Sequence, residues 1–511
     1  MATGRYRVLI AMIFAVAMMS IDQTIVSIAA PTIQRDLSLT STGLQWVING
    51  YLLALAATFA LGGKLSDVLG HRRMVLVGTV GFAAASVLCG ATPTGSAAQS
   101  WLIVARILQG GFGALLFPAA LAIVFNAFEA RERGKALALF FGISGALTSV
   151  GPIAGSFLLP WTWRAIFLIN VPVALVALAM TWRSRQVDTR RQVPIDWRGA
   201  ILVSAGMGLA VLGLQESSHW GWTAAATLAC LVGGVLLLAG FVGFELRQAS
   251  PLIDVRIFAD RGFAADNLVM ALAYACFLPL FFFASLYAQV VLGYNAGKTG
   301  LYILVIFAGF ATATQLGGRL LDRRGARRPA IIGSVLGAVG FYLWAGHLHQ
   351  PLGSQWPWIV LAGAGLGFVL TPVTTDAVNR SPRGSFGEVT GVTQTVRYFA
   401  ASLGLAVLGS VLIDQTRSNA KASLAHLHVP HAIASRILAS INTGADTAPH
   451  HQRATVVYTA IQGDFAQATR IVYLAMAGIM AASFLIALRA MERGIPKEVA
   501  AEPQASPQSS P

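Results

Sequence analysis

An eleven-residue segment occurs twice in this chain. Gly63-Lys-Leu-Ser-Asp67-Val-Leu-Gly70-His-Arg72-Arg73 returns as Gly318-Arg-Leu-Leu-Asp322-Arg-Arg-Gly325-Ala-Arg327-Arg328, 255 residues on. Both copies lie between long apolar runs. A second landmark keeps nearly the same spacing, with Gly113 and Pro118 matching Gly367 and Pro372. A polar loop duplicated between apolar segments implies a duplicated unit, so the repeat limits the fold before any helix is assigned. Two halves carrying the same loop predict a duplicated helical bundle.

The apolar runs recur from end to end, each long enough at about 20 residues to cross a bilayer. The 511 residues are 56% hydrophobic and only 11% charged, too little charge to cover a soluble protein of this size. The chain is therefore expected to be an all-α integral membrane protein. Fourteen spans are predicted between residues 7 and 490. Arg5 and Arg7 precede the first apolar run as they would in a signal peptide, but the run continues to about Ala30 and reads as a retained first helix.

Charge placement sets the orientation. Of the 36 lysines and arginines, the short outside loops hold only Arg35, Arg164 and Lys298. The inside loops hold most of the rest, and long outer loops are largely exempt from the rule. Both termini are thus predicted to be cytoplasmic. The net charge of +15 is topogenic in this reading. No basic stripe with interleaved aromatics appears, so nucleic acid is not expected as a partner, whereas the lipid bilayer is.

The repeat offset exceeds the length of the first six spans, residues 7–183, by about one helical hairpin. The expected organisation is an N-terminal six-helix bundle (1–197), an inserted two-helix hairpin (198–247) and a C-terminal six-helix bundle (248–490). A charged cytoplasmic link is expected at 184–197. Residues 414–466 read as a long outer loop with little apolar periodicity. The Pro/Gln/Ser-rich tail, 491–511, is expected to be disordered.

Ionisable groups at membrane depth are costly and each needs a reason. Asp22 lies inside the first span, where a desolvated carboxylate is a candidate for proton coupling or cation recognition. The plainer alternative is an aspartate near the outer end, paired structurally or reaching water. Arg106, in the fourth span beside Gln109 and Gly110, cannot lose its proton and so must face a partner or a watered cavity. The matching position in the second half is Val360, so the six-helix unit packs without an arginine there. Arg397, in the thirteenth span, either lines the cavity or snorkels toward the inner surface. Asp376, Glu216 and Asp266 lie near predicted span ends, where solvation suffices.

In the fifth span, Gly145, Gly151, Pro152 and Gly155 form either a plain packing seam or a flexible seal between the halves. In the repeated loop, Gly63 is expected to allow tight helix contact. Asp67 should pair with Arg72 or a neighbour, and Gly70 should supply a turn. Arg72 and Arg73 are also ordinary topogenic charges. Cys89, Cys230 and Cys276 fall in apolar segments and read as small buried hydrophobes. His426, His428, His431, His450 and His451 lie in the outer loop without acidic or cysteine partners at a ligand spacing, so no metal is expected. Walker, nucleophile-elbow and H-E-x-x-H patterns are absent, leaving ATP-driven transport and common hydrolase chemistry without support.

These residues resemble a known family. Gly63–Arg73 is similar to the loop signature of the major facilitator superfamily, and fourteen spans with a central hairpin resemble its drug:proton antiporter branch. Asp22-Gln-Thr-Ile-Val with Ala30-Pro31 resembles the branch's first-helix motif, and Arg106-Ile-Leu-Gln109-Gly110 its fourth-helix motif. Gly151-Pro152-Ile-Ala-Gly155 resembles the fifth-helix antiporter motif, and Trp163-Arg164 through Asn170-Val-Pro172 the start of its sixth helix. Departures are Val68 and His71 in the first loop, Ala326 in the second and Ser156 after Gly155. The resemblance implies a major facilitator fold and alternating access in the bacterial cell (inner) membrane. It also implies proton-coupled efflux of lipophilic, cationic drugs or toxic compounds by a monomer, with no cofactor beyond the proton gradient and no enzymatic activity. Asp22, Arg106 and Gln109 would serve proton coupling or substrate. Gly63, Asp67, Gly70, Arg72 and Arg73 with Gly318, Asp322, Gly325 and Arg327 would form the gating loops. Gly151, Pro152 and Gly155 would form the antiporter motif. The alternative is a dedicated exporter of one endogenous metabolite, antibiotic or lipid precursor. Trp46, Tyr51, Phe277, Phe281 and Tyr287 suggest an aromatic cavity, although they would equally suit lipid or core.

Overall fold

The computed structural model of the chain describes residues 2–183, 194–380, 386–443 and 452–494. Its first half comprises α1 (Ala2–Leu37), α2 (Ser41–Leu69), α3 (His71–Gly90) and α4 (Ala98–Ala127). Two broken spans follow, α5 (Ala130–Thr148) with α6 (Val150–Leu158), and α7 (Ala165–Leu168) with α8 (Asn170–Arg183). A hairpin of α9 (Trp197–Trp220) and α10 (Ala225–Glu245) leads to the second half. That half comprises α11 (Arg261–Val290), α12 (Ala296–Arg324), α13 (Arg327–Gly346), α14 (Leu352–Asn379), α15 (Phe386–His426), the short α16 (His431–Thr443) and α17 (Gln452–Arg489). Among the described residues, fourteen helical spans are long and apolar enough to cross a membrane. An even number returns both chain ends to one face, the face that the arginine-rich loops mark as inner.

Each half packs mainly on itself, and the halves meet along α1–α11, α2–α15 and α6–α12. The last two contacts are equivalent under the repeat, because the second span of each half meets the fifth span of the other. The cross-contacts gather toward the outer face. Gln289 donates to the Ile28 carbonyl at 3.0 Å, and Gly300 lies against the Pro152 carbonyl. The hairpin joins this seam through α9, which packs on both α2 and α15. Asn49 of α2 sits between Gln215 of α9 and Ser402 of α15, 2.5 Å from each. Trp46 donates its indole N–H to Glu216. Helix α10 packs on α9 and turns exposed Val232, Val235 and Leu236 outward, as a lipid-facing helix would.

The repeated loops have the same backbone. Gly70 and Gly325 take φ of +101° and +76° and end α2 and α12, a conformation glycine adopts without Cβ strain. Their amides donate to the Ser66 and Leu321 carbonyls. The expected role of Gly63 is corrected. A Cβ at Gly63 would meet Pro118 at an ordinary 3.8 Å, and at Gly318 nothing within 4 Å. The preceding glycines are the ones pressed against neighbours. A Cβ on Gly62 would stand 2.1 Å from the Ala114 carbonyl oxygen, and one on Gly317 3.1 Å from Pro372.

The outer segment 414–466 is also corrected, since its described residues are largely helical. Helix α15 runs on to His426, α16 follows, and α17 begins at Gln452. Polar contacts hold this part together. Ser423 donates to Asp464 at 2.9 Å and Asn419 donates to the Asp464 carbonyl at 3.4 Å. Hydropathy periodicity cannot register such pairing. Residues 184–193 of the link, His450 and His451, and the tail from 495 lie outside the described residues.

Candidate functional site

Asp22 and Arg106 meet in the centre of the first bundle, 0% and 1% exposed. Arg106 Nη1 donates to Asp22 Oδ2 at 2.5 Å and to Gln109 Oε1 at 2.6 Å, while Arg106 Nε donates to the Val47 carbonyl at 3.0 Å. Gln109 Nε2 reaches Asp22 Oδ1 at 3.0 Å and Ser86 Oγ at 2.8 Å. The Tyr51 ring lies under the guanidinium, 4.3 Å from its carbon. Helix periodicity places Arg106 and Gln109 together, since residues three apart share a face. The site thus joins α1, α2, α3 and α4, and the alternative of an Asp22 reaching water at the outer end is set aside by its burial.

Two contributors were not singled out from the sequence. Asn170, the first residue of α8, donates to Ser86 at 3.1 Å and approaches Asp22 Oδ1 at 3.5 Å. Asn170 lies within the sixth-helix motif, which was the available signal. Ser86 of α3 had none, because a serine at a small-residue seam is ordinary in a membrane helix.

The Gly151-Pro152 pair adjoins this network. Proline has no N–H, so the carbonyl four residues back, Thr148, loses its helical donor. The span breaks there into α5 and α6. Thr24 of α1, two residues beyond Asp22, donates its hydroxyl to the Thr148 carbonyl at 2.7 Å. A Cβ on Gly151 would fall 2.1 Å from Thr24 Oγ1, and one on Gly155 would crowd Ile25. The motif therefore seats α6 directly on the segment of α1 that carries Asp22.

The repeated-loop arginines do something common to both halves. Arg72 donates to the carbonyl of Trp182, at the end of α8, at 3.1 Å. Arg327, its counterpart in the repeat, donates to the carbonyls of Ala487 and Leu488, at the end of α17, at 3.4 and 2.5 Å. Each serves the C-terminus of the last span in its own bundle, where orphan carbonyls and the helix dipole favour a cation. Asp67 lies 3.9 Å from His71, a neighbour in the same loop. Asp322 and Arg73 are solvent-exposed.

Arg397 does not snorkel inward. Gln23, adjacent to Asp22, donates to the hydroxyl of Tyr398, adjacent to Arg397, at 3.2 Å, which fixes both at one depth. Of the aromatic candidates, Tyr51 serves Arg106, Trp46 bonds Glu216 and Phe281 stacks on Phe307 at 4.8 Å. Tyr287 is buried with its hydroxyl on the Leu348 carbonyl. Asp266 and Asp376 are not solvated as expected. Both are buried and flank Arg380 at 3.1 and 2.9 Å, because three helix ends converge there and exclude water.

Two pseudo-equivalent helical bundles of membrane-length spans, one of them holding a buried ion pair, have the architecture of a multi-span transporter. The chain belongs to the Major Facilitator Superfamily, whose model matches residues 12–405. It is 35% identical to the tetracenomycin C resistance and export protein of Streptomyces glaucescens, over 80% of this chain and 76% of that protein. It is 29% identical to the multidrug resistance protein Stp of Mycobacterium tuberculosis, over 94% and 90%. A solved bacterial homolog of the human lysosomal transporter Spinster, inward-facing and unoccupied, shares the fold with a TM-score of 0.64 at 17% identity, covering 95% and 97%. The chain is therefore a transporter rather than an enzyme, and a multi-pass protein of the bacterial cell membrane that carries small molecules.

Proposed function

We propose that this protein is a proton-coupled antiporter, acting as a monomer, that exports lipophilic small molecules from the cytoplasm by alternating access. The bundles 1–197 and 248–490 would rock about the seam formed by α1–α11, α2–α15 and α6–α12, with the hairpin 198–247 riding on α2 and α15. The observation that carries this reading is the fully buried Asp22–Arg106–Gln109 network beside the Thr24–Thr148 contact. Protonation of Asp22 removes the charge that Arg106 answers. Arg106 keeps Gln109, the Val47 carbonyl and the Tyr51 face, so the arginine stays seated while α1 is released. Movement of α1 is passed to α6 through Gly151 and Thr24, and to the second bundle through Gln23 and Tyr398. Gly70, Arg72 and their repeats Gly325 and Arg327 hold each bundle rigid during that step. A membrane potential adds about 2.3 kcal/mol per charge per 100 mV to the driving force.

The names of the relatives support both breadths of substrate, including a multidrug resistance protein and the cephamycin export protein of Amycolatopsis lactamdurans. A dedicated exporter of one endogenous product is thus the second reading. Everted vesicles loaded through a pH gradient test the coupling. Asp22→Asn should abolish gradient-driven transport while leaving substrate exchange at equilibrium, and undiminished uptake at equal expression would refute the role of Asp22.

A further inference from the structure

Asp22 and Arg106 cancel each other's charge, but Arg397, at the same depth, has no such partner. Among the described residues no carboxylate lies within 4.0 Å of its guanidinium. Nη1 donates to Gln394 Oε1 at a long 3.3 Å, and Nε is buried without a hydrogen-bond partner. Two aromatic rings also stand near it, Tyr274 and Tyr398, 4.5 and 5.1 Å away. Aromatic faces attract a cation but accept no strong hydrogen bonds, so the donors of the fork remain incompletely used.

The place matters as much as the charge. Arg397 is partly exposed. Its neighbour Tyr398 meets Gln23 and, at 6.1 Å between rings, Phe59, both from the first bundle. Tyr274 and Gln394 belong to the second. The unanswered guanidinium therefore stands on the seam that alternating access opens and closes. A cationic substrate at this level would add a second positive charge, and Asp22, at the same depth, is already taken by Arg106. An anion would supply the missing partner at low dielectric, where charge-assisted bonds to a guanidinium fork are strongest.

We propose that Arg397 anchors an anionic group of the substrate, a carboxylate or an ionised enol or phenol, with Tyr274, Tyr398 and Phe59 receiving the apolar body. This deepens the export reading and rests on it only for the direction of transport. It narrows lipophilic compounds in general to lipophilic acids, a different preference from the cationic one implied by family resemblance.

Binding of 1-pyrenebutyrate and of its methyl ester, followed by fluorescence anisotropy on the full-length protein in phosphatidylcholine nanodiscs, tests the proposal. The wild type should bind the acid about tenfold or more tighter than the ester. Arg397→Gln should erase that preference by weakening the acid alone, with ester affinity reporting an intact site. Arg397→Lys, which keeps the charge and loses the fork, should retain part of it. Equal affinity for acid and ester in the wild type, a comparison that needs no variant, would overturn the proposal. So would a preference that survives Arg397→Gln. Export is read separately, because loss of gradient-driven transport with acid-selective binding intact would refute the antiport reading and leave the anion site standing.

Discussion

In the first half, Arg106 of α4 crosses the bundle centre to Asp22, and Gln109, Ser86 and Asn170 complete a buried polar network. In the second half the matching position on α14 is Val360, and Gly309 of α12 packs directly over its carbonyl. Gly363 and Gly367 press likewise on the Ile306 and Phe310 carbonyls, and Tyr274, Phe277 and Phe310 fill the space beside α11 with rings. Two copies of one scaffold thus solve the same packing problem with charge in one case and with small residues and aromatics in the other. A buried ion pair is weak evidence for stability, since apolar replacements of similar volume often do as well. The second half is such a replacement made within one molecule. The charged network of the first half is what the proposed coupling role requires.

The sharpest way to break the comparison is Arg106→Leu, which leaves Asp22 buried and uncompensated. A loss of about 3–5 kcal/mol is expected, read as a collapse of folded yield and of the thermal unfolding midpoint in detergent. Adding Asp22→Asn should restore most of that stability without restoring gradient-driven transport. If the double variant stays as unstable as the single one, the network is architectural and the contrast with Val360 loses its meaning.

Smaller effects are expected at the glycines. Gly62→Ala drives a methyl into the Ala114 carbonyl and should cost about 1–3 kcal/mol, whereas Gly317→Ala, which would meet Pro372 and Phe368 no closer than 3.1 Å, should cost less. Gly63→Ala and Gly318→Ala should be harmless, and a large loss at either would restore the expectation that the loop glycine itself is the contact point.

The smallest effects concern the arginines shared by both loops. Arg72→Gln and Arg327→Gln should each cost about 0.3–1 kcal/mol of thermal stability, and by similar amounts, as caps of α8 and α17. If Arg72→Gln instead stops transport at unchanged stability while Arg327→Gln does not, the first loop is a gate that the second is not.

Much of this was legible in the residues. Apolar length placed all fourteen spans, and the repeat offset marked out the hairpin. Helical spacing joined Arg106 to Gln109 and the cost of buried charge singled out Asp22. Hydropathy failed at 414–466, where α15 and α17 continue as helices held by Asn419, Ser423 and Asp464. It also misjudged Asp266 and Asp376, whose burial depends on helix ends distant in sequence meeting around Arg380.

The sequence by itself determined the class, the duplication and the short list of costly residues, because bilayer thickness and desolvation act on composition and order along one chain. Tertiary structure alone decided which of those residues touch. It brought Thr24 to the carbonyl freed by Pro152, seated Arg72 and Arg327 on the ends of helices more than a hundred residues away, and left Arg397 without a counter-charge among the described residues. Pairing across helices depends on their rotation and depth, and a repeat of small and apolar residues permits several of these until the packed bundle selects one.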